Sequence, residues 1–138
     1  MPRVGEGRIV EIEFGPFIAQ FLNGRLVAFR AGLGRVRSYP TPMRMLGILA
    51  ARHDTWVRTD TLHTVLYAAR QKRHRSRILD VNACLIRGAI TKAFVWDMPQ
   101  DLHYLVGDRW GHFGLFSTLR PMGNLPGSHR PLGVHLEC

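Results

Sequence analysis

The sequence predicts a mixed α+β domain: an N-terminal antiparallel sheet, three helices and a C-terminal β-hairpin. Three observations predict it. Apolar and polar side chains alternate through Arg8–Ile9–Val10–Glu11–Ile12–Glu13–Phe14, as in a half-buried strand. Near Thr41 the apolar spacing changes to that of a helix, and near Val95 it changes back. Between two apolar runs stands Asn23-Gly24, a dipeptide that accepts positive φ at both turn positions and is a strong hairpin signal.

Taken in order, residues 8–39 read as β. Gly15-Pro16 ends the first strand, and FIAQFL and RLVAFR flank Asn23-Gly24. Gly32 and Gly34 make the next turn, so RVRSY can return as a further strand. Thr41-Pro42 reads as a helix start, with Thr41 as N-cap and Pro42 at the first helical position, where no N–H is needed. Met45, Leu46, Ile48, Leu49 and Arg52 follow at helical spacing. Trp56-Val57 is long enough only for a bridge of strand. Thr59 or Asp60 caps a second helix, with Leu62, Val65, Leu66 and Ala69 along its apolar side.

The third helix, about 75–93, organises the rest. At 100° per residue, Leu79, Ala83, Ile86, Ile90 and Ala93 share one arc, a core-facing stripe. Arg77, Val81, Cys84, Gly88 and Lys92 occupy the opposite arc. Just before it Arg70, Lys72, Arg73 and Arg75 crowd a short loop. A helix that buries one side and leads with arginines suits a DNA major groove; the plain alternative is an ordinary helix of a basic protein with a solvated charged face. LHYLV and FGLF then read as a hairpin over about 102–116, joined by Gly107-Asp108-Arg109-Trp110-Gly111, with Arg109 at its tip. Residues 1–117 form the expected domain. Residues 118–138, rich in proline and glycine and without periodicity, read as a flexible or surface-draped tail.

Composition narrows the partners. The formal charge is +9, and of 19 lysines and arginines only Lys72 and Lys92 are lysine. Arginine matches phosphates and guanine edges bidentately, so the bias favours a polyanion, although a coding bias toward arginine would give the same count. No transmembrane run, secretory signal or amphipathic helix with an aromatic face stands out, so no membrane partner is expected. The two cysteines, Cys84 and Cys138, suggest neither a metal pair nor a disulfide framework, and a cytoplasmic location follows by default.

Catalytic and metal chemistry find no motif. His53, His63, His74 and His103 are scattered, without H-E-x-x-H or a Cys-His cluster. Glu11 and Glu13 read as a solvated strand face. Cys84 reads as a plain thiol, or as one activated by nearby arginines. Trp56 reads as core, while Trp110 fits either a surface role or stacking on a base. No phosphate loop and no nucleophile elbow appear. No enzyme activity, cofactor or metal is expected.

YPTPMRMLGILAARHDTWVRTDTLHTVLYAA followed by SRILDVNACLIRGAI resembles the winged helix-turn-helix DNA-binding effector domain of OmpR/PhoB-type response regulators. Thr41-Pro42, Ala51-Arg52-His53, Val57, Leu62, Leu66-Tyr67, Arg77, Asp80-Val81, Ile86-Arg87, Arg109 and Phe113 fall on that family's pattern, and the likeness covers about residues 8–116. It implies a transcription regulator that reads duplex DNA with the third helix and a wing hairpin. Arg77, Asn82 and Arg87 would serve the major groove and flanking phosphates, and Arg109 the minor groove or backbone. Arg70, Lys72, Arg73 and Arg75 would add phosphate attraction.

The chain departs from the pattern in three places. Cys84 and Leu85 stand where the family is often basic, Gly88-Ala89 replace an Arg-Lys pair, and Trp110 and His112 replace wing glycines. No phosphoacceptor domain precedes the effector-like stretch in these 138 residues. The departures favour a rival expectation, a winged-helix module that binds a protein such as RNA polymerase or another regulator. A homodimer is compatible with either.

Overall fold

The computed structural model describes residues 7–67, 77–94, 106–109 and 111–118, the side chains of 77 and 107–109 excepted. The chain runs β1 (Ile9–Phe14), β2 (Phe17–Leu22), β3 (Arg25–Ala31), β4 (Gly34–Arg35), α1 (Pro40–Ala51), β5 (Trp56–Arg58), α2 (Thr59–Tyr67), α3 (Arg77–Ala93), β6 (Val106–Arg109) and β7 (His112–Leu115). It is a mixed α+β fold with a four-stranded antiparallel sheet, β1-β2-β3-β4, and a three-stranded sheet, β5-β7-β6. Among the described residues no helix is long and apolar enough to cross a membrane. Of the tail expected over 118–138, only Thr118 lies within them.

The first sheet follows the alternation. Phe17, Ala19 and Phe21 of β2 and Phe29 and Ala31 of β3 are buried. Asn23 (φ 54°) and Gly24 (φ 80°) make the turn between these strands, the paired left-handed conformation that the right-handed strand twist favours in a two-residue hairpin. One irregularity was not legible. Gln20 pairs with Ala28 but Phe21 pairs with Leu26, so Val27 is an extra residue bulged out of register. The returning strand is also shorter than RVRSY, because only Gly34 and Arg35 pair with β3.

The core forms where the helices cover the inner face of this sheet. Phe14, Phe17 and Phe29 pack ring against ring, with centroids 5.5 Å apart for Phe14–Phe17 and 5.3 Å for Phe17–Phe29. Met45, Leu46 and Leu49 of α1 and Leu79, Ile86 and Ile90 of α3 complete it. Helix α1 begins earlier than expected: Tyr39 is the N-cap and makes no side-chain cap. Pro40 occupies the first helical position, for which its fixed φ suits it as well as Pro42's would. On α2, Leu62 and Leu66 are buried as expected, but Val65 is 47% exposed; Ala69 lies outside the described residues.

The end of α3 is pressed onto the β3–β4 turn. A Cβ on Gly34 would overlap the carbonyl of Ala93, and one on Gly32 would meet the Phe94 ring at 2.8 Å. At Gly88, in mid-helix, a Cβ meets nothing within 4 Å among the described residues.

The second sheet joins distant parts of the chain. Trp56, Val57 and Arg58 pair with Gly114, Phe113 and His112. Trp56 is half-buried, its ring edge-on to Phe116 at 4.9 Å. In the hairpin Arg109 pairs with His112, so Gly107, Asp108 and Arg109 are strand rather than loop. Gly111, at φ 69°, takes the left-handed conformation that favours glycine.

Candidate nucleic-acid interface

Helix α3 separates its faces as the periodicity dictates. Leu79, Ala83, Ile86, Ile90 and Ala93 are buried, and Asp80, Val81, Gly88, Thr91 and Lys92 are exposed. Among the described side chains, the charge on that exposed face is one carboxylate near the start and one ammonium in the last turn. Acid near the N-terminus and base near the C-terminus match the helix dipole. They therefore stabilise the helix and give the face little net positive potential.

Two residues expected on the DNA face are turned inward. Asn82 is 5% exposed, and its Nδ2 donates to Tyr67 Oη at 3.0 Å. Arg87 is also 5% exposed, and its Nε donates to the Val106 carbonyl at 2.9 Å. With Leu79 as zero, 100° per residue sets Asn82 about 60° to one side of the buried stripe and Arg87 about 80° to the other. Both are flanking positions where a polar side chain is buried once a neighbouring element packs alongside, and there it must find a partner. Asn82 ties α3 to α2, and Arg87 ties α3 to β6. Cys84 is likewise not the exposed thiol expected on the outward arc; it is 8% exposed and disulfide-bonded, which corrects the expectation of unpaired cysteines.

Of the other expected contacts, Arg70, Lys72, Arg73 and Arg75 lie outside the described residues. Arg77 is the first residue of α3, and Arg109 the last of β6. The structure therefore sets the start of α3 and the end of the hairpin as separate cationic positions, with α3 and β6 fastened to each other through Arg87.

The register adds two residues that sequence reasoning missed. Arg58 pairs with His112, which pairs with Arg109. The three positions form one cross-strand row at the turn end of the three-stranded sheet. Arg58 is exposed, and its contact with Asp60 is 3.4 Å between side chains 70% and 81% exposed, a pair of little energetic consequence. The row is braced by Thr59 N donating to the Gly111 carbonyl at 2.8 Å. Its only sequence signal is the β character of Trp56–Arg58, since the partner strand lies more than fifty positions away.

A second polar cluster closes the opposite end of this sheet. Asp54 Oδ1 accepts from Ser117 N at 2.7 Å and from Ser117 Oγ at 2.9 Å, and Oδ2 lies 2.7 Å from His53 Nδ1. The His53 ring stacks on Phe14, centroids 4.2 Å apart and planes 8° from parallel. Partial burial pushes the Asp54 carboxyl up, but the hydrogen bonds from Ser117 and His53 outweigh it and hold it below the ordinary aspartate value of 3.8. The hydroxyl faces a weakly basic carboxylate and not the imidazole, so the group is a structural clasp and not an activated nucleophile. Among the described residues no three His, Cys, Asp or Glu side chains gather as a metal site. No protein-family model and no curated protein matches the chain.

Proposed function

We propose that the protein is a DNA-binding transcription regulator of the winged-helix type, acting on duplex DNA and catalysing no reaction. The observation that carries this reading is the Arg58–His112–Arg109 row at the turn end of a hairpin that is fastened to α3. Helix and hairpin form one unit, so an arginine at the start of α3 and a cationic hairpin end can engage neighbouring stretches of one duplex. The order of helices and strands, with β5 paired to the hairpin, supports the winged-helix assignment. Arg70, Arg73 and Arg75, with Lys72, supply sequence-independent attraction to phosphates. Asn82 and Arg87 have no part in the contact surface.

A second reading is favoured by one observation. The exposed face of α3 includes Val81, 49% exposed, Gly88 about two turns further on and, among the described side chains, a single cation, Lys92. Such a face suits a protein partner, for example an RNA polymerase subunit or another regulator, better than a groove lined by phosphates.

Titration of the protein against duplex DNA at two salt concentrations separates the readings. DNA binding through several phosphates gives an affinity that falls steeply with salt, with a log–log slope of about −0.9 per contact. Absence of binding at low salt overturns the proposal and leaves the protein-partner reading.

A further inference from the structure

The outer face of the four-stranded sheet, turned away from α1 and α3, carries charge sorted by strand. The register aligns Glu13, Ile18, Arg30 and Arg35 in one row across β1, β2, β3 and β4. Glu11 and Gln20 share the next row, joined by a hydrogen bond of 2.8 Å, and Ile9, Leu22 and Arg25 the one after. The face is thus acidic along β1, largely apolar along β2 and basic along β3 and β4. Glu13, Arg25, Arg30 and Arg35 are all exposed, and no ion pair among the described residues joins any of them. Arg30 stands directly opposite Arg35, and like charges directly opposite on neighbouring strands destabilise a sheet.

We propose that this face packs against the same face of a second copy of the chain. A two-fold axis parallel to the strands lays β1 over the second copy's β4, and β2 over its β3. Because Glu13, Ile18, Arg30 and Arg35 share one row, the operation returns that row onto itself reversed. Glu13 then faces Arg35 of the second copy, Ile18 faces Arg30, and symmetry repeats each pair, as an isologous interface requires. Stacked sheets sit about 10 Å apart, a gap that an arginine and a glutamate reaching toward each other can span. The arginine pair that is unfavourable in one copy thereby gains a carboxylate. A polyanion is the poorer occupant, because Glu11 and Glu13 on the same face repel it, while Glu13 complements the second copy's Arg35.

The patch sets the strength. Three strands of six or seven residues and a fourth of two, about 4.8 Å apart and rising about 3.4 Å per residue, present roughly 330 Å² per copy, about two-fifths of a standard interface side. The dimer is therefore weak, reversible and sensitive to salt.

Sedimentation equilibrium on the full chain, over a range of concentration at low and high salt, tests this. The expected result is reversible dimerisation that salt weakens. Glu13→Arg and Arg35→Glu, each placing like charges in contact, are expected to lower the association constant by roughly tenfold or more. The double variant Glu13→Arg/Arg35→Glu restores it, which no folding defect can imitate. Thermal melts confirm that each variant folds; if a reversal does not fold, Glu13→Gln and Arg35→Gln are expected to weaken the dimer and flatten its salt dependence. A monomer at every concentration overturns the proposal, as do single variants that associate like the wild type. Arg35→Glu weakening duplex DNA binding without changing self-association overturns it in favour of a phosphate-binding face.

Discussion

Asp54 and Ser117 are sixty-three positions apart, and one carboxylate oxygen of Asp54 takes both the backbone N–H and the hydroxyl of Ser117. Asp54 itself is held at φ 65°, and its own N–H donates to the Leu115 carbonyl at 2.8 Å. The loop after α1 is thereby closed onto the end of β7. Asp54→Ala removes an acceptor that serves two donors and is expected to cost about 1–3 kcal/mol, read from urea unfolding at neutral pH. Asp54→Asn, which keeps an acceptor and tolerates positive φ, is expected to cost less.

The same carboxyl gives a pH dependence whose sign is fixed. Its folded value lies below its ordinary value of 3.8. The contribution to stability is therefore complete above the ordinary value and is lost as pH falls through the lowered folded value. Unfolding measured from neutral pH into this acid range should show wild type losing stability more steeply than Asp54→Asn. Parallel profiles would remove Asp54 as the source.

Arg87 is assigned a role that kinetics of DNA binding alone cannot reveal. As the donor to the Val106 carbonyl, it is expected to cost about 1–3 kcal/mol of stability when changed to Met, which keeps the stem and leaves that acceptor without its donor. An unchanged thermal midpoint with a salt slope about one unit shallower would instead make Arg87 a phosphate contact.

Arg73→Ala and Arg77→Ala are expected to differ. Loss of a phosphate contact at Arg73 weakens all duplexes alike and reduces the salt slope by about one unit, whereas loss of a base-reading residue at Arg77 costs roughly 1–3 kcal/mol and relaxes specificity. Affinities for a selected site and a scrambled duplex across a salt series decide the matter. Equal weakening of both duplexes by Arg77→Ala would remove base reading from α3.

Two glycines are expected to respond with opposite signs to alanine. Gly88 lies exposed in mid-helix with open space around it, so Gly88→Ala should stabilise by about 0.5–1 kcal/mol through helix propensity. Gly34→Ala sets a methyl against the Ala93 carbonyl and is expected to destabilise by about 1–3 kcal/mol as α3 is displaced. Thermal midpoints of the two variants moving the same way would contradict this account.

The local features of the fold were legible because their causes are local. Asn23-Gly24 dictates its own turn, and the stripe Leu79–Ala83–Ile86–Ile90 dictates which side of α3 is buried. Non-local features were not legible. Nothing near Trp56 announces Phe113 as a neighbour, and nothing near Arg87 announces the Val106 carbonyl. An arginine beside a buried stripe reads equally as a surface cation or as an internal donor until the adjoining strand is placed. The candidate site was accordingly legible only in part. Arg77 and Arg109 are candidates from their own elements alone, whereas Arg58 and His112 emerge only from strand register.

The pairing order of the smaller sheet bears on synthesis. Its middle strand, β7, is the last of the described elements to leave the ribosome, and β5 and β6 both depend on it for their hydrogen bonds. The β2–β3 hairpin can close early, but β5 must wait until more than fifty further residues have been translated. At about 5–20 residues per second, that is an interval of roughly 3–10 seconds in which the edge of β5 has no partner strand. Placing α2 directly after β5 shortens the exposed extended segment to Trp56–Arg58, which limits what a nascent neighbour can pair with.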